Sequence, residues 1–245
     1  MQNSNFIFQI RLTISLLFVS LSYAGITQVG LRKKYNIQQV KNWQDALHER
    51  FATTESLYPQ SYELGVDYWF RLKKRRVEFM PEIAYTASTT TYNNAVLDQF
   101  NLQMFSFNFN TQLYALDMGE DCDCPTFSKQ GPAINKGLFF HVTPGISYFN
   151  ASGTTVPISS FALAPSESNG VIFKIGGGIG LDLGVSDFLT ITPIASYYFH
   201  TPMTWDQLRS VNGELQESKN ILKQFQFTIR LGFRRDYTNK RRFRR

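Results

Sequence analysis

The clearest pattern in the chain is an alternation of apolar and polar residues near its C-terminal end. Between Gln224 and Phe233 every second residue is apolar. Because the side chains of a β-strand point alternately to its two faces, this segment predicts a strand with one apolar and one polar face. Such a strand buries its apolar face in a soluble protein but exposes it to lipid in a membrane-spanning barrel. The apolar face consists of Phe225, Phe227, Ile229, Leu231 and Phe233.

The same alternation predicts seven earlier strands. They lie at about 25–35, which is the weakest, and at 62–71, 77–85, 100–116, 138–148, 171–183 and 189–199. The spacing of Val40, Trp43, Leu47 and Phe51 predicts a short amphipathic helix after the first strand. In the strand at 100–116 the apolar residues change face between Met104 and Phe105, which predicts a β-bulge.

Long and short connections alternate between these strands. The long polar ones are 88–99, 150–169 and 201–221, whereas 71–77 and 185–188 are short. This alternation is typical of barrels with long external loops and short periplasmic turns. The predicted fold is therefore all-β, an eight-stranded antiparallel up-and-down transmembrane β-barrel, in which the last strand closes against the weak first strand near Val29.

Three of the predicted strands share a short repeat. Pro81, Pro144 and Pro193 are each followed four residues later by a tyrosine, Tyr85, Tyr148 or Tyr197. Proline removes a ladder hydrogen bond, so the repeat predicts a recurrent bulge or local distortion, with ordinary edge prolines as the alternative. The height of the strands predicts that the three tyrosines lie near the outer aromatic girdle.

The N-terminal segment has the features of a cleavable signal peptide. Arg11 precedes an apolar run from Leu12 to Leu21. Ser22 and Ala24 then place small residues at the two positions that a signal peptidase recognises. A buried N-terminal helix is the alternative. The predicted organisation is a signal peptide at 1–24, a barrel at 25–233 and a basic periplasmic tail at 234–245.

The basic character of the chain is confined to that tail. The formal net charge is +6, and residues 234–245 hold seven basic residues and one acid, so residues 1–233 carry no net charge. The pattern excludes a nucleic-acid-binding face spread over a domain. The tail is either a solvated extension or a contact for anionic lipid headgroups or an acidic envelope protein.

Charged residues recur on the polar faces of the strands. Because the interior of an eight-stranded barrel has room for side chains and little else, they predict a salt-bridged network that fills the lumen, with a narrow gated ion path as the alternative. The set is Glu63, Asp67, Arg71, Glu78, Glu82, Lys174, Asp182 and Arg230, joined by Arg32. On the same face, Gly176, Gly178 and Gly180 would let larger neighbours fill the lumen.

Cys122 and Cys124 lie in an acidic segment between two strands. In an oxidising compartment they predict a disulfide. A redox role, metal binding by the neighbouring acids and free thiols remain the alternatives, and two sulfurs alone make a poor zinc site.

No motif predicts catalysis or a cofactor. The glycines at 176–180 do not match a dinucleotide fingerprint, and neither Gly-x-Ser-x-Gly nor His-Glu-x-x-His occurs. The nearest resemblance to the His-x-Ser strand motif of a barrel deacylase is His141-Val142-Thr143, which has threonine in place of the serine and lies on the predicted inner face. The expectation is that the chain is not an enzyme.

With these strands, the signal peptide and the terminal Phe-x-Phe-x-Ile-x-Leu-x-Phe pattern, residues 25–233 resemble the small eight-stranded outer-membrane barrels of the OmpA, OmpX and OmpW types and the PorT-like barrels of the Bacteroidetes. The resemblance implies outer-membrane lipid as the surroundings, both termini in the periplasm, and recognition of the terminal strand by the barrel-assembly machinery. This chain departs from the family pattern by continuing twelve residues beyond Phe233.

The predicted function is a structural, adhesive or secretion-associated role in the outer membrane, with envelope proteins as partners through the tail or loops. Two alternatives stay open. One is a secreted soluble barrel that binds a small apolar ligand in its interior, and the other is a lipid-modifying barrel enzyme.

Overall fold

The structure is a computed structural model that describes residues 28–51, 56–72, 76–92, 97–117, 134, 137–155, 166–186, 189–205 and 219–234. The predicted signal peptide, Cys122, Cys124 and the tail after Arg234 lie outside these ranges. No helix among the described residues is long and apolar enough to span a membrane.

The described elements are mostly long strands. They are β1 (Gln28–Gln39), β2 (Gln60–Tyr68), β3 (Phe70–Arg71), β4 (Val77–Thr91), β5 (Leu97–Leu113), β6 (Leu138–Thr155), β7 (Ser166–Leu181), β8 (Leu183–Gly184), β9 (Leu189–His200), β10 (Met203–Thr204), β11 (Lys219–Asn220) and β12 (Lys223–Arg234). Helix α1 spans Lys41–Phe51, and a 3-10 turn spans Ala115–Asp117. β3 continues β2 and β8 continues β7, so eight strands form the main sheet, while β10 and β11 pair with each other.

The sheet closes on itself. Each strand pairs antiparallel with its neighbour in the chain, and β12 pairs with both β9 and β1. Val29 lies opposite Phe233, and Leu31 lies opposite Leu231. The predicted eight-stranded antiparallel barrel is therefore confirmed, together with closure of the last strand on the weak first one. The first strand continues beyond Tyr35 to Gln39.

The two ends of the barrel differ. At one end, which we call the terminal rim, Gln28 lies opposite Arg234. At the other, the loop rim, α1 follows β1 and the β10–β11 ribbon connects β9 to β12. The backbone amide of Asn42 donates to Oδ1 of Asn220 at 3.1 Å, and its side-chain amide donates to the carbonyl of Lys219 at 2.8 Å. These bonds tie the start of α1 to β11.

The strands extend further toward the loop rim than predicted. β4 continues to Thr91 and β5 begins at Leu97, so most of the segment predicted as a loop at 88–99 is paired sheet. Hydroxyl and amide side chains tolerate this pairing because they can bond across it, as Thr89 Oγ1 does to Asn101 Oδ1 at 2.9 Å.

The predicted bulge between Met104 and Phe105 is wrong. β5 keeps one register with β4 and β6 through this region, and the only shift in its pairing with β6 lies between Leu97 and Gln99. Met104 is buried and Phe105 is exposed, in the ordinary alternation. The apolar residues change face because the inner face of β5 is itself apolar near the loop rim.

The three repeated prolines each coincide with a gap in one ladder. Pairing of β4 with β2 and β3 is interrupted opposite Pro81, that of β5 with β6 near Pro144, and that of β9 with β7 and β8 opposite Pro193. The register is the same on both sides of each gap. Since proline has no amide hydrogen to donate, each removes a rung without shifting the strands, so the repeat produces local distortion and not a bulge.

Candidate functional site in the lumen and on the outer face

Asp67 lies at the centre of an ionic cluster inside the barrel. Arg32 Nε donates to its Oδ2 at 2.6 Å. Arg230 donates to both carboxylate oxygens, from Nε to Oδ2 and from Nη2 to Oδ1, each at 2.7 Å. All three side chains are buried. Arg32 Nε also lies 3.9 Å from Oε2 of Glu82, which connects this cluster to the next one.

The second cluster is centred on Lys34. Its Nζ lies 2.6 Å from Oε1 of both Glu63 and Glu82. The other carboxylate oxygens also accept hydrogen bonds, from Thr86 Oγ1 to Glu63 at 3.1 Å and from Asn110 Nδ2 to Glu82 at 2.8 Å. Buried charges that are paired and hydrogen-bonded in this way avoid most of the desolvation cost of an isolated charge.

A third polar cluster lies near the terminal rim around Tyr114, just after β5. Its hydroxyl donates to Asp182, and its oxygen lies 3.1 Å from Oε2 of Glu78. Thr192 donates to Asp182, and Trp69 Nε1 donates to Glu78 at 2.7 Å. Burial, followed by the charges of Asp182 and Glu78, raises the pKa of Tyr114 well above its ordinary value, so the phenol keeps its proton.

The residues predicted for the interior charge network are placed as follows. Those whose side chains are described are buried in the lumen, namely Arg32, Glu63, Asp67, Glu78, Glu82, Lys174, Asp182 and Arg230. The backbone of Arg71 pairs with Glu78, but its side chain lies outside the described part. The ammonium of Lys174 lies 5.6 Å from the ring centroid of Tyr198. The network is thus divided into clusters along the barrel axis.

Among the described residues, the buried charges balance. Five are cations and five are acids, so their formal sum is zero. The set comprises Arg32, Lys34, Arg76, Lys174 and Arg230 with Glu63, Asp67, Glu78, Glu82 and Asp182. Together, these ten side chains give a permeating ion of either sign no general electrostatic preference.

Glycines make room for this filling. A Cβ on Gly65 would collide with the carboxylate of Glu82, and one on Gly30 would come within 2.6 Å of Oδ1 of Asp67. A Cβ on Gly176 would enter the ring of Tyr198, and one on Gly180 the ring of Phe139. Small residues on the inner face therefore let long side chains of neighbouring strands occupy the lumen.

The loop-rim half of the lumen is apolar. Its core, which we call the apolar plug, joins strand residues to α1, the loop before β2 and the β10 segment. Trp43 and Trp205 pack edge to face with ring centroids 5.3 Å apart, and Phe100 lies 5.9 Å from Trp205. The members are Val40, Trp43, Leu57, Tyr58, Tyr92, Phe100, Leu102, Met104, Phe149, Ala151, Ile172, Met203, Trp205 and Leu222.

Tyr58 anchors the loop before β2 in this plug. Its amide donates to Thr90 Oγ1 at 2.9 Å, and its hydroxyl donates to the carbonyl of Asn101 at 3.0 Å. Burial raises the pKa of Tyr58, so its hydroxyl remains a donor. The loop is thus bonded to both β4 and β5 across the mouth of the barrel.

The outer face of the barrel is apolar, in contrast to the charged part of the lumen. All eight strands expose large apolar side chains, which form what we call the apolar belt. One example from each strand, in chain order, is Leu31, Leu64, Ile83, Phe105, Phe140, Phe173, Phe199 and Ile229. Large exposed apolar surfaces are rare on soluble monomers, so this belt marks a surface that is covered in the functional protein.

The tyrosines of the proline repeat belong to this face. Tyr85, Tyr148 and Tyr197 are all exposed, and Phe105 lies opposite both Tyr85 and Tyr148 in the sheet. The terminal-strand residues Phe227, Ile229, Leu231 and Phe233 are exposed too, and Phe225 is half-buried. Phe225 and Phe227 pack edge to face at 4.7 Å.

His141 and Thr143 are both buried in the lumen. Nε2 of His141 lies 2.6 Å from Oγ1 of Thr143, which donates to Asn110 Oδ1 at 3.0 Å. These contacts join the inner face of β6 to that of β5. Within the described ranges, no group of three or more histidine, cysteine or acidic side chains could hold a metal ion.

Sequence reasoning missed several residues of the lumen. Lys34 lies two positions after Arg32, on the same face and within the predicted first strand, so following the alternation to the end of that strand would have found it. Arg76 is buried with its guanidinium carbon 4.4 Å above the ring of Tyr114, and it belongs to a basic run that reads as an exposed turn. The alternation places Phe100 and Leu102 on one face of the strand, but the change of face after Met104 led to a predicted bulge instead of an apolar inner face.

The sequence matches no protein-family model and no curated protein. Among solved structures, it is similar to Neisserial surface protein A, with 12% identity, 84% of this chain and 94% of that chain covered, and a TM-score of 0.44. It is also similar to Ail, the attachment invasion locus protein of Yersinia pestis, with 11% identity, 85% and 98% covered, and a TM-score of 0.43. It is similar, too, to the N-terminal β-barrel domain of Pseudomonas aeruginosa OprF, with 12% identity, 84% of this chain and 98% of that chain covered, and a TM-score of 0.37.

Proposed function

We propose that this chain is an outer-membrane barrel that does not conduct, with a structural, adhesive or secretion-associated role carried by its loop-rim surface. The observation that carries the proposal is the division of side chains by the barrel wall, with the apolar belt outside and a charged and apolar filling inside. Lipid is the surrounding that removes the belt from water and leaves the polar filling enclosed.

The soluble alternative fails on the same observation. A soluble barrel that binds an apolar ligand needs its alternating apolar face directed inward. Here Phe227 and Ile229 are 49% and 58% exposed, whereas Gln226 and Arg230 are buried. An interior lined by paired charges offers no apolar ligand cavity in that half of the lumen.

A gated ion path is disfavoured by the apolar plug. An ion entering from the loop rim would have to pass Trp43, Trp205 and Phe100, which lie in contact, before reaching Lys34. Beyond them it would have to displace paired carboxylates that are already hydrogen-bonded. Both steps are costly, so the filled lumen supports a sealed barrel.

In the proposed orientation, the loop rim faces the exterior and both termini lie in the periplasm. The terminal strand, with Phe225, Phe227, Ile229, Leu231 and Phe233 on its outward face, is then the segment that the barrel-assembly machinery recognises. The basic tail and the loops are the proposed contacts for an envelope partner, and outer-membrane lipid surrounds the belt.

No catalytic role is included in the proposal. The nearest likeness to a lipid-modifying centre, His141 with Thr143, faces the lumen and is separated from lipid by the barrel wall. Exchange of His141 for alanine should therefore leave the lipid composition of the host membrane unchanged.

The proposal is tested by fractionation, electrophoresis and conductance. The mature chain should fractionate with outer membranes, and its folded form should migrate differently from the boiled form. In planar bilayers it should give no resolved single-channel steps. Recovery as a soluble periplasmic monomer without detergent would overturn the membrane placement. Regular conductance steps that disappear when the protein is unfolded, together with its folded electrophoretic band, would overturn the sealed lumen. A tag on the C-terminus that is reached by protease from outside intact cells would reverse the orientation.

A further inference from the structure

Lys33 is the one charged side chain on the outer face of the barrel below the loop rim, among the described residues. It lies on β1, with its side chain exposed. In the sheet its neighbours are Leu64 on β2 and Ile229 on β12. A cation at such a position is unfavourable in hydrocarbon unless an anion or water reaches it, so its presence calls for a counter-charge.

Among the side chains that the structure describes, none on the outer face supplies such a counter-charge. The acids on the neighbouring strand β2, Glu63 and Asp67, are buried in the lumen and already paired with Lys34, Arg32 and Arg230. The outward positions around Lys33 are apolar. A second copy of this chain packed on the same surface would bring another lysine and, among the described residues of that surface, no acid, so this surface does not provide its own counter-charge.

The surface around Lys33 is concave. A cavity of about 680 Å³ lies on this side of the barrel, and its wall includes Leu31, Leu64, Val66, Ile83, Phe105 and Ile229 together with Lys33. Its lining is otherwise almost wholly apolar, which suits a hydrocarbon chain. The wall also includes Arg32, but its guanidinium is buried and paired with Asp67, so Lys33 is the cation that faces outward. An apolar wall with one outward cation matches a molecule with an acyl chain and one anionic group.

The height of Lys33 fits a lipid headgroup. The next outward residue toward the loop rim is Tyr35, whose ring lies 5.6 Å from that of Tyr62. Aromatic residues of membrane barrels concentrate at the lipid–water interface. A lysine just below this level extends its ammonium to the interface while its methylene stem remains in the apolar layer.

We propose that this cavity binds an anionic lipid of the loop-side leaflet, with an acyl chain on the apolar wall and the lipid phosphate accepting hydrogen bonds from the ammonium of Lys33. The site rests on the proposed membrane placement but is separate from the sealed lumen. It gives the barrel one preferred lipid position on the β1–β2 side.

The test uses native mass spectrometry of the full mature chain in detergent, titrated with phosphatidylglycerol or with zwitterionic phosphatidylcholine. The wild type should bind phosphatidylglycerol about fivefold more tightly, as one lysine near an anionic lipid surface provides. Lys33→Leu should abolish this preference and Lys33→Arg should retain it. Lys223→Gln, which removes an exposed cation at the loop rim, is the matched control and should behave as the wild type.

Three results of the lipid titrations would overturn the site. They are equal affinity of the folded wild type for the two lipids, an undiminished preference in Lys33→Leu, and loss of the preference in Lys223→Gln. A dimer that disappears in Lys33→Leu would assign the surface to a protein contact instead. The shift between boiled and unboiled bands establishes the folding of each variant, and its absence in the wild type would overturn the proposed function rather than this site alone.

Discussion

Arg230 and Asp67 are 163 positions apart in the chain and are joined by two hydrogen bonds of 2.7 Å. They lie on β12 and β2, which are separated by β1 in the sheet. Arg32 on β1 donates to the same carboxylate. One acid therefore joins three consecutive strands across the seam where the barrel closes.

Asp67→Asn tests this junction. The change keeps the size of the side chain but removes the charge that compensates two buried arginines. Loss of one partner of a buried ion pair costs about 3–5 kcal/mol, so the free energy of unfolding by urea in lipid vesicles should fall by about that amount. Thr91→Ala, on the exposed face of β4, should change it by no more than about 0.5 kcal/mol. Equal stability of the two variants would mean that the arginines find water or other acids.

Gly65→Ala tests the filling of the lumen. The added Cβ would collide with the Glu82 carboxylate, which is held by Lys34 and cannot move freely. We expect a loss of about 1–3 kcal/mol in the free energy of unfolding. Gly177→Ala is the control, because its Cβ would meet only the His141 carbonyl oxygen, at 3.7 Å. A loss at Gly177 equal to that at Gly65 would refute the steric explanation.

Phe107→Arg tests the apolar belt. Phe107 is 47% exposed on β5, opposite Ile83 and Ile146. An arginine facing lipid near the bilayer midplane costs about 2–4 kcal/mol and little near the interface, so this variant should be destabilised in vesicles. Thr89→Arg, at the loop-rim end of β4, should cost about 0–1 kcal/mol. If the two variants were equally stable, the belt would not lie in hydrocarbon.

Trp205→Ala tests the apolar plug. Trp205 is fully buried, and removing it from contact with Trp43 and Phe100 should cost about 3–5 kcal/mol where the cavity cannot collapse. Any exciton couplet that the close Trp43–Trp205 pair contributes to the circular dichroism spectrum should be lost. Phe173→Leu on the outer face is the control and should retain both stability and spectrum. Unchanged stability of Trp205→Ala would show that the plug does not support the barrel.

The predictable part of this protein is local in origin. The alternation that assigns Phe227 and Ile229 to one face and Gln226 and Arg230 to the other depends only on the geometry of a single strand. The same pattern predicted burial of Glu63 and Asp67 without knowledge of their partners. The misassigned bulge at Met104 and Phe105 arose because an apolar inner face is indistinguishable, within one strand, from a change of register.

The sequence by itself determined the period-two strands, their number and their antiparallel order, because consecutive strands usually lie beside each other in a sheet. The sequence also predicted that the apolar face points outward, but only the tertiary structure decided which charges pair. Lys34 meets Glu63 and Glu82 because β1, β2 and β4 are consecutive in the sheet, whereas Asp67 meets Arg230 in addition to Arg32 because closure places β12 beside β1. The division of the lumen has the same origin, since α1 and the segment at Trp205 reach the plug only once the barrel has closed.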